Sequence, residues 1–176
     1  MSAPDPTLRM AAYDPAWPRL FEEEAARLRA ALGDLAVRVD HVGSTSVSGL
    51  AAKPIVDIQV SVRSLEPFAA YAEPLAALGY GFVPDPIGPD FHFFPRPPEP
   101  PRTVHVHVVQ SGSDHERRHL AVRDFLRAHP EESRAYAEHK RAVVQQAAGS
   151  IDAYIAGKNA FVVELERRAL AWWPGG

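Results

Sequence analysis

No cysteine occurs in the 176 residues, which removes disulfides, thiolate metal sites and thiol nucleophiles, so any metal must be held by carboxylates, imidazoles or hydroxyls. Positive charge is not in excess either: 19 Lys and Arg stand against 22 Asp and Glu, for a formal net charge of -3. Without a basic field to draw phosphate backbones, a nucleic acid partner is not expected and a small-molecule one is. No apolar run approaches the ~20 residues of a membrane helix, and MSAPDPTLRM at the start lacks a basic segment leading into an apolar one. The chain therefore reads as cytoplasmic, with no membrane association; its oligomeric state is not legible. What is present is an apolar content of 46%, enough at this length for one substantial core, and one domain over 1–176 is expected.

The periodicities place helices and strands. Asp14 and Pro15 open a helix in which Trp17, Leu20, Phe21, Leu28 and Leu32 recur at helical spacing until Gly33. AVRVDHV (36–42) alternates as a half-buried strand does and runs into GSTSVSGL. IVDIQVSV (55–62) is a second strand with Val56, Ile58, Val60 and Val62 on one face and Asp57, Gln59 and Ser61 on the other. Ser64 to Leu78 suits a helix, the segment from Tyr80 to Pro101 breaks into short strand pieces, and its prolines make 97–101 a loop. TVHVHVV (103–109) is a strand whose His105 and His107 share a face. Ser113 and Glu116 then stand in capping-box spacing ahead of helices at about 113–129, 131–148 and 151–173. A sheet-containing part over about 10–110 followed by a helical part over about 111–174 argues for an α+β fold with a mixed sheet.

Several features carry candidate chemistry. The turn GSTSVSGL exposes unpaired N–H groups and the hydroxyls of Ser44, Thr45 and Ser46, which suits a phosphate and equally suits an ordinary capped turn; it lacks the spacing of a P-loop. Lys53 can reach such a phosphate or stand in solvent. Asp57, an acid in the middle of an apolar strand, costs several kcal/mol if buried without a partner, which points to a metal, a catalytic role or a salt bridge. His105 and His107 are spaced to face one cation together with Asp57, or to serve as polar surface. In the charge-dense helix that follows, Arg118 or Arg123 can offer a two-pronged donor to phosphate, and Arg118 is the candidate carried forward. Tyr154 and Lys158 share a helix face.

These blocks, GSTSVSGLAAKPIVDIQV, HVHVV, ERRHLAVRDFLRAHPEESRAYAEHKR and DAYIAGKNAFV, resemble the GrpB-like family from about Tyr13 to Phe161. That family is also found fused to some dephospho-CoA kinases and is assigned to the nucleotidyltransferase fold. In that superfamily a strand-end Gly-Ser is followed, about a dozen residues on, by an Asp-hydrophobic-acid strand and later by a third carboxylate. Twelve residues separate Gly43-Ser44 from Asp57-Ile58-Gln59-Val60. The resemblance implies that Ser44 and its neighbours hold the terminal phosphates of a nucleoside triphosphate such as ATP and that the carboxylate strand holds magnesium. Joined to the reading of the residues, the candidates are Gly43, Ser44, Thr45, Ser46, Lys53 and Arg118 for the nucleotide, Asp57, His105 and His107 for Mg2+ or another divalent metal, and Asp57, Gln59 and His107 for catalysis. The chain departs from the pattern where Gln59 replaces the second carboxylate, because an amide is no base and binds a hard cation more weakly; histidines stand where the third acid would. The expected activity is nucleotidyl transfer to a small-molecule acceptor. A non-catalytic nucleotide-binding module, or a histidine-dependent enzyme reusing the cleft, is the alternative.

Overall fold

The structure, a computed structural model, describes residues 9–84 and 90–174. Helix α1 (Ala16–Leu32) starts where the Asp14 carboxylate accepts the Ala16 N–H at 2.8 Å, and ends at Gly33, whose φ of 52° is open to glycine. Its buried stripe is Trp17, Phe21, Ala25, Leu28 and Leu32. Leu20, expected on that stripe, is 40% exposed: it lies one residue before Phe21 and so turns off the face.

Four strands form one sheet in the order β1 (Arg38–Val42), β2 (Val56–Val62), β4 (Val104–Gln110), β3 (Phe91–Arg96). The outer pairings are antiparallel, and the central β2–β4 pair is parallel. Strand β3 comes from the Pro- and Gly-broken segment; residues 85–89 of that segment lie outside the described ones. Helix α2 (Ala69–Ala77) is shorter than expected, because Pro67 offers no N–H and biases Glu66 away from helical backbone.

The alternation of β2 and β4 divides the molecule. Val56, Ile58, Val60 and Val62 join Val104, Val106 and Val108 in a core closed by α1 and by Tyr71 and Leu75 of α2. The opposite face, with Asp57, Gln59, Ser61, His105 and His107, turns toward α3 (Asp114–Ala128), α4 (Pro130–Ala147) and α5 (Ile151–Trp172). These helices build a second core with the loop after β1, from Val47, Leu50 and Ala51 to Phe125, Tyr136 and Leu165. The α+β layout and the helical C-terminal half stand as expected, with Pro130 opening α4 from its first turn rather than lying between helices.

Helix α3 is tied to the sheet by polar bonds. Ser113 caps it, its Oγ accepting the Glu116 N–H at 3.3 Å. The Glu116 carboxylate does not close a capping box; it takes the Gly112 N–H at 2.6 Å and the hydroxyl of Ser61 in β2. Arg123 bonds Asp40 of β1 at 3.3 Å and its neighbour Asp124 at 2.8 Å, which consumes its guanidinium in structure. Among the described residues no helix is long and apolar enough to cross a membrane.

Truncation of α1 should follow the stripe. Leu28→Ala removes a fully buried side chain and should cost about 2–5 kcal/mol in chemical denaturation, whereas Leu20→Ala should stay within about 0.5 kcal/mol.

Candidate active site

The parallel register sets Asp57 of β2 opposite His105 of β4, and Gln59 opposite His107. Same-face residues of adjacent strands project side by side, so an acid and two imidazoles meet where the strands run together. Asp57 Oδ1 lies 3.2 Å from His105 Nδ1 and 3.5 Å from His107 Nε2, and the three donor atoms all lie within 4.8 Å of one another. Burial pushes the Asp57 carboxyl up, but hydrogen bonds from His105 and His107 and their charge outweigh it and hold the group far below the ordinary carboxylate range. Asp57 is thus anionic at any physiological pH. The rings are set by packing: Phe93 meets His105 edge-on at 4.9 Å between centroids and His107 at 5.3 Å. Their far nitrogens, His105 Nε2 and His107 Nδ1, are buried without a hydrogen-bond partner among the described residues.

Gly43 presses on the same carboxylate. With φ at 69°, it sits in the left-handed region, and a Cβ there would stand 2.6 Å from Asp57 Oδ2. Both the turn and the close approach demand glycine, which accounts for Gly-Ser at the strand end. The following residues divide by role. Ser44 lines a cavity of about 490 Å³ together with Asp57, His105 and His107. The Thr45 hydroxyl, although at the same cavity, pairs with His41 Nε2 at 3.0 Å, and Ser46 Oγ donates back to the Gly43 carbonyl at 2.6 Å, closing the turn.

Lysine supplies the other charge in the cavity. Lys53 and Lys158 line it, each over the Tyr154 ring, at 4.9 and 5.6 Å. Lys140, on α4, is only 3% exposed and donates to Ser44 Oγ at 2.7 Å and to the Ala51 carbonyl at 3.0 Å, with the Tyr136 ring 4.4 Å away. No carboxylate pairs with it among the described residues. Burial, then the charge of Lys158, bring the Lys140 ammonium down to about 7, against a smaller upward pull from Asp57.

The remaining candidates stand back from the cavity. Gln59 is fully buried: its Nε2 donates to the Glu116 carbonyl at 3.5 Å, and its Oε1 faces His119 Nδ1 at 3.0 Å. Arg118, half exposed, stands 4.0 Å from Glu166, a cavity residue, without lining the cavity itself. Sequence reasoning did not single out Lys140 or His119 as site residues, yet both line the cavity. His119 lies beside His107 (5.3 Å between centroids) and His115 (4.4 Å), and burial and the charges of those rings hold it well below its ordinary range.

Comparison with known proteins places these features in context. The family described as GrpB protein matches residues 7–168. The UPF0157 protein YqkA of Bacillus subtilis is 36% identical over 93% of this chain, and a UPF0157 protein of Halalkalibacterium halodurans is 38% identical over 90% of this chain and 80% of its own length. A dephospho-CoA kinase of Mycolicibacterium paratuberculosis is 33% identical over 94% of this chain. The chain spans about half the length of the Bacillus relative and of that kinase (47% and 46%). The crystal structure of conserved protein GrpB from Enterococcus faecalis superposes with a TM-score of 0.85 at 36% identity, covering 93% of this chain and 98% of the other.

Two measurements test the site's physics. Gly43→Ala should cost about 1–3 kcal/mol in thermal or chemical denaturation, because it adds strain at a left-handed position and a clash with Asp57. Lys140 binds its proton more weakly folded than unfolded, so between pH 7 and the ordinary lysine range the unfolded chain holds more protons and stability rises with pH. Relative to Lys140→Met, the wild type should therefore gain stability from pH 7 to pH 10, as read by parallel denaturation curves; an unchanged difference between the two would contradict a depressed amine.

Proposed function

The chain belongs to the GrpB protein family, and from that premise and the chemistry of the cavity we propose a metal-dependent nucleotidyltransferase that takes a nucleoside triphosphate and a small-molecule acceptor. The observation that carries this reading is one cavity lined both by Ser44, Lys53, Lys140 and Lys158 and by Asp57, His105 and His107. Three amines and a hydroxyl suit a polyphosphate. A buried lysine without a carboxylate partner is stabilised when an anion arrives, so binding also relieves the cost of burying Lys140. Phe91, Phe93 and Tyr154 offer aromatic faces for a base or another flat group.

The residues fit a divalent cation. Asp57 Oδ1, His105 Nδ1 and His107 Nε2 are spaced as neighbouring ligands about one ion are, and one oxygen with two imidazoles suits Mn2+, Zn2+ or Fe2+ better than Mg2+. When bound, such an ion offsets phosphate charge and polarises the phosphorus under attack. Among the described residues the far ring nitrogens have no carboxylate or carbonyl to donate to, so the ion should be held about 10–100-fold more weakly than where such partners exist, and chelators should remove it. Asp57, anionic through the working range, keeps both imidazoles turned toward itself, and Gly43 leaves room for its second oxygen.

One observation favours a second reading. Gln59, at the position of the superfamily's second carboxylate, is turned away from the cavity and bonded behind it, which suits a module that binds a nucleotide without transferring it. Pyrophosphate release separates the two.

With ATP at about 100 times its Kd and Mn2+ or Zn2+ present, the Tm should rise by about 5–10 °C, and Asp57→Ala should abolish the rise. If no triphosphate moves the Tm with Mg2+, Mn2+ or Zn2+, the reading fails. If binding occurs without pyrophosphate release over a panel of acceptors, the module replaces the transferase.

A further inference from the structure

We propose that His119 is the hydrogen-bond acceptor that receives the hydroxyl of the molecule to be modified, and that Gln59 fixes the ring tautomer that makes it one. The inference rests on the transferase reading and assigns the acceptor side of the cavity, which that reading leaves empty.

Donors and acceptors form a chain from α3 through Gln59 to His119. The Glu116 carbonyl can only accept, so the Gln59 amide nitrogen must face it; the reverse orientation would set two carbonyl oxygens against each other. Gln59 Oε1 then faces His119, and an oxygen can only accept, so the hydrogen of the His119 ring lies on Nδ1. An uncharged imidazole has one such hydrogen, which leaves Nε2 a bare lone pair. Nothing among the described residues bonds Nε2, and unlike His105 Nε2 and His107 Nδ1 it is not sealed in the interior. His119 lines the cavity, beside His107 but outside the group of three donors that converge on one point. Next to the candidate metal ligands the cavity therefore presents an imidazole acceptor with no partner of its own among the described residues, while the other acceptor in the lining, the Glu166 carboxylate, stands 4.0 Å from Arg118.

A lone pair in that position selects a ligand with an O–H or N–H to give. Phosphate oxygens, having none at neutral pH, are directed instead to the lysines and Ser44. Gln59 is thereby a positioning residue: bonded to the Glu116 carbonyl in the first turn of α3 and to His119 three residues further on, it fixes the ring's angle as well as its hydrogen. That is a use for an amide at a position where a carboxylate would be the superfamily's habit, since a carboxylate offers the Glu116 carbonyl no hydrogen.

The test has a spectroscopic arm and a kinetic one. In the full chain labelled with 15N-histidine, long-range 1H–15N spectra at neutral pH should show His119, assigned by its loss in His119→Phe, with hydrogen on Nδ1; free imidazole side chains in water favour Nε2. Gln59→Leu should move His119 toward the Nε2–H form with the fold retained by circular dichroism. In the second arm, His119→Ala should lower pyrophosphate release about 100-fold or more while keeping the triphosphate-induced rise in Tm. Should that variant not fold, His119→Phe, which keeps a ring in the same packing, is read the same way. An Nε2–H ring in the wild type, or a His119 variant as active as the wild type, overturns the inference and leaves the transferase reading in place. A wild type that binds triphosphate yet releases no pyrophosphate with any acceptor removes both.

Discussion

Everything in the cavity depends on one register. Strands β2 and β4 run parallel, and their alignment puts Asp57 beside His105 and Gln59 beside His107. A slip of one residue would send the acid into the valine core and a valine into the cavity, so the hydrophobic face enforces the geometry of the polar one. The apolar core under α1 is therefore the device that holds a carboxylate and two imidazoles in reach of each other, at a cost the two rings offset by hydrogen-bonding the charged form.

The helical half meets the sheet through polar groups at this face. Glu116 reaches Ser61, Gln59 reaches the Glu116 carbonyl and His119, Arg123 reaches Asp40, and Lys140 reaches Ser44. Such bonds are directional, and each buried group among them is costly to leave unpaired, so they fix how α3 and α4 sit over the strands more sharply than apolar contact would. The apolar contacts of α3–α5 lie elsewhere, with the loop after β1. Burial of Gln59 and Ser61 at the middle of β2 follows from this docking.

Much of this was legible in the chain itself. Period-two alternation marked β2 and β4 and put Asp57, His105 and His107 on definite faces, and Pro and Gly marked the helix ends. The pairing of β2 with β4 was not legible, because residues 63–103 separate them and no local pattern names a partner. Lys140 was missed for a related reason: in AEHKR it looks like any charged residue on a solvated helix, and it is buried only because α4 lies across the turn at Ser44. Gln59 was read as standing in place of a second carboxylate on the polar face of the strand. Its side chain is on the expected face, but α3 covers that part of the strand, and sequence spacing says nothing of what lies on top. Leu20 shows the limit of counting apolar residues without fixing the angle of the stripe.

Anionic Asp57 and the amines of Lys53, Lys140 and Lys158 border one cavity, which Phe91, Phe93 and Tyr154 also line. Opposed charges around a confined space create a standing electric field, and its direction is set by the backbone rather than by any occupant. A guest with unlike ends consequently meets a single favoured polarity, since turning it end for end would bring anion to anion and cation to cation. Discrimination between head and tail is built into the lining of the cavity before any particular hydrogen bond is made.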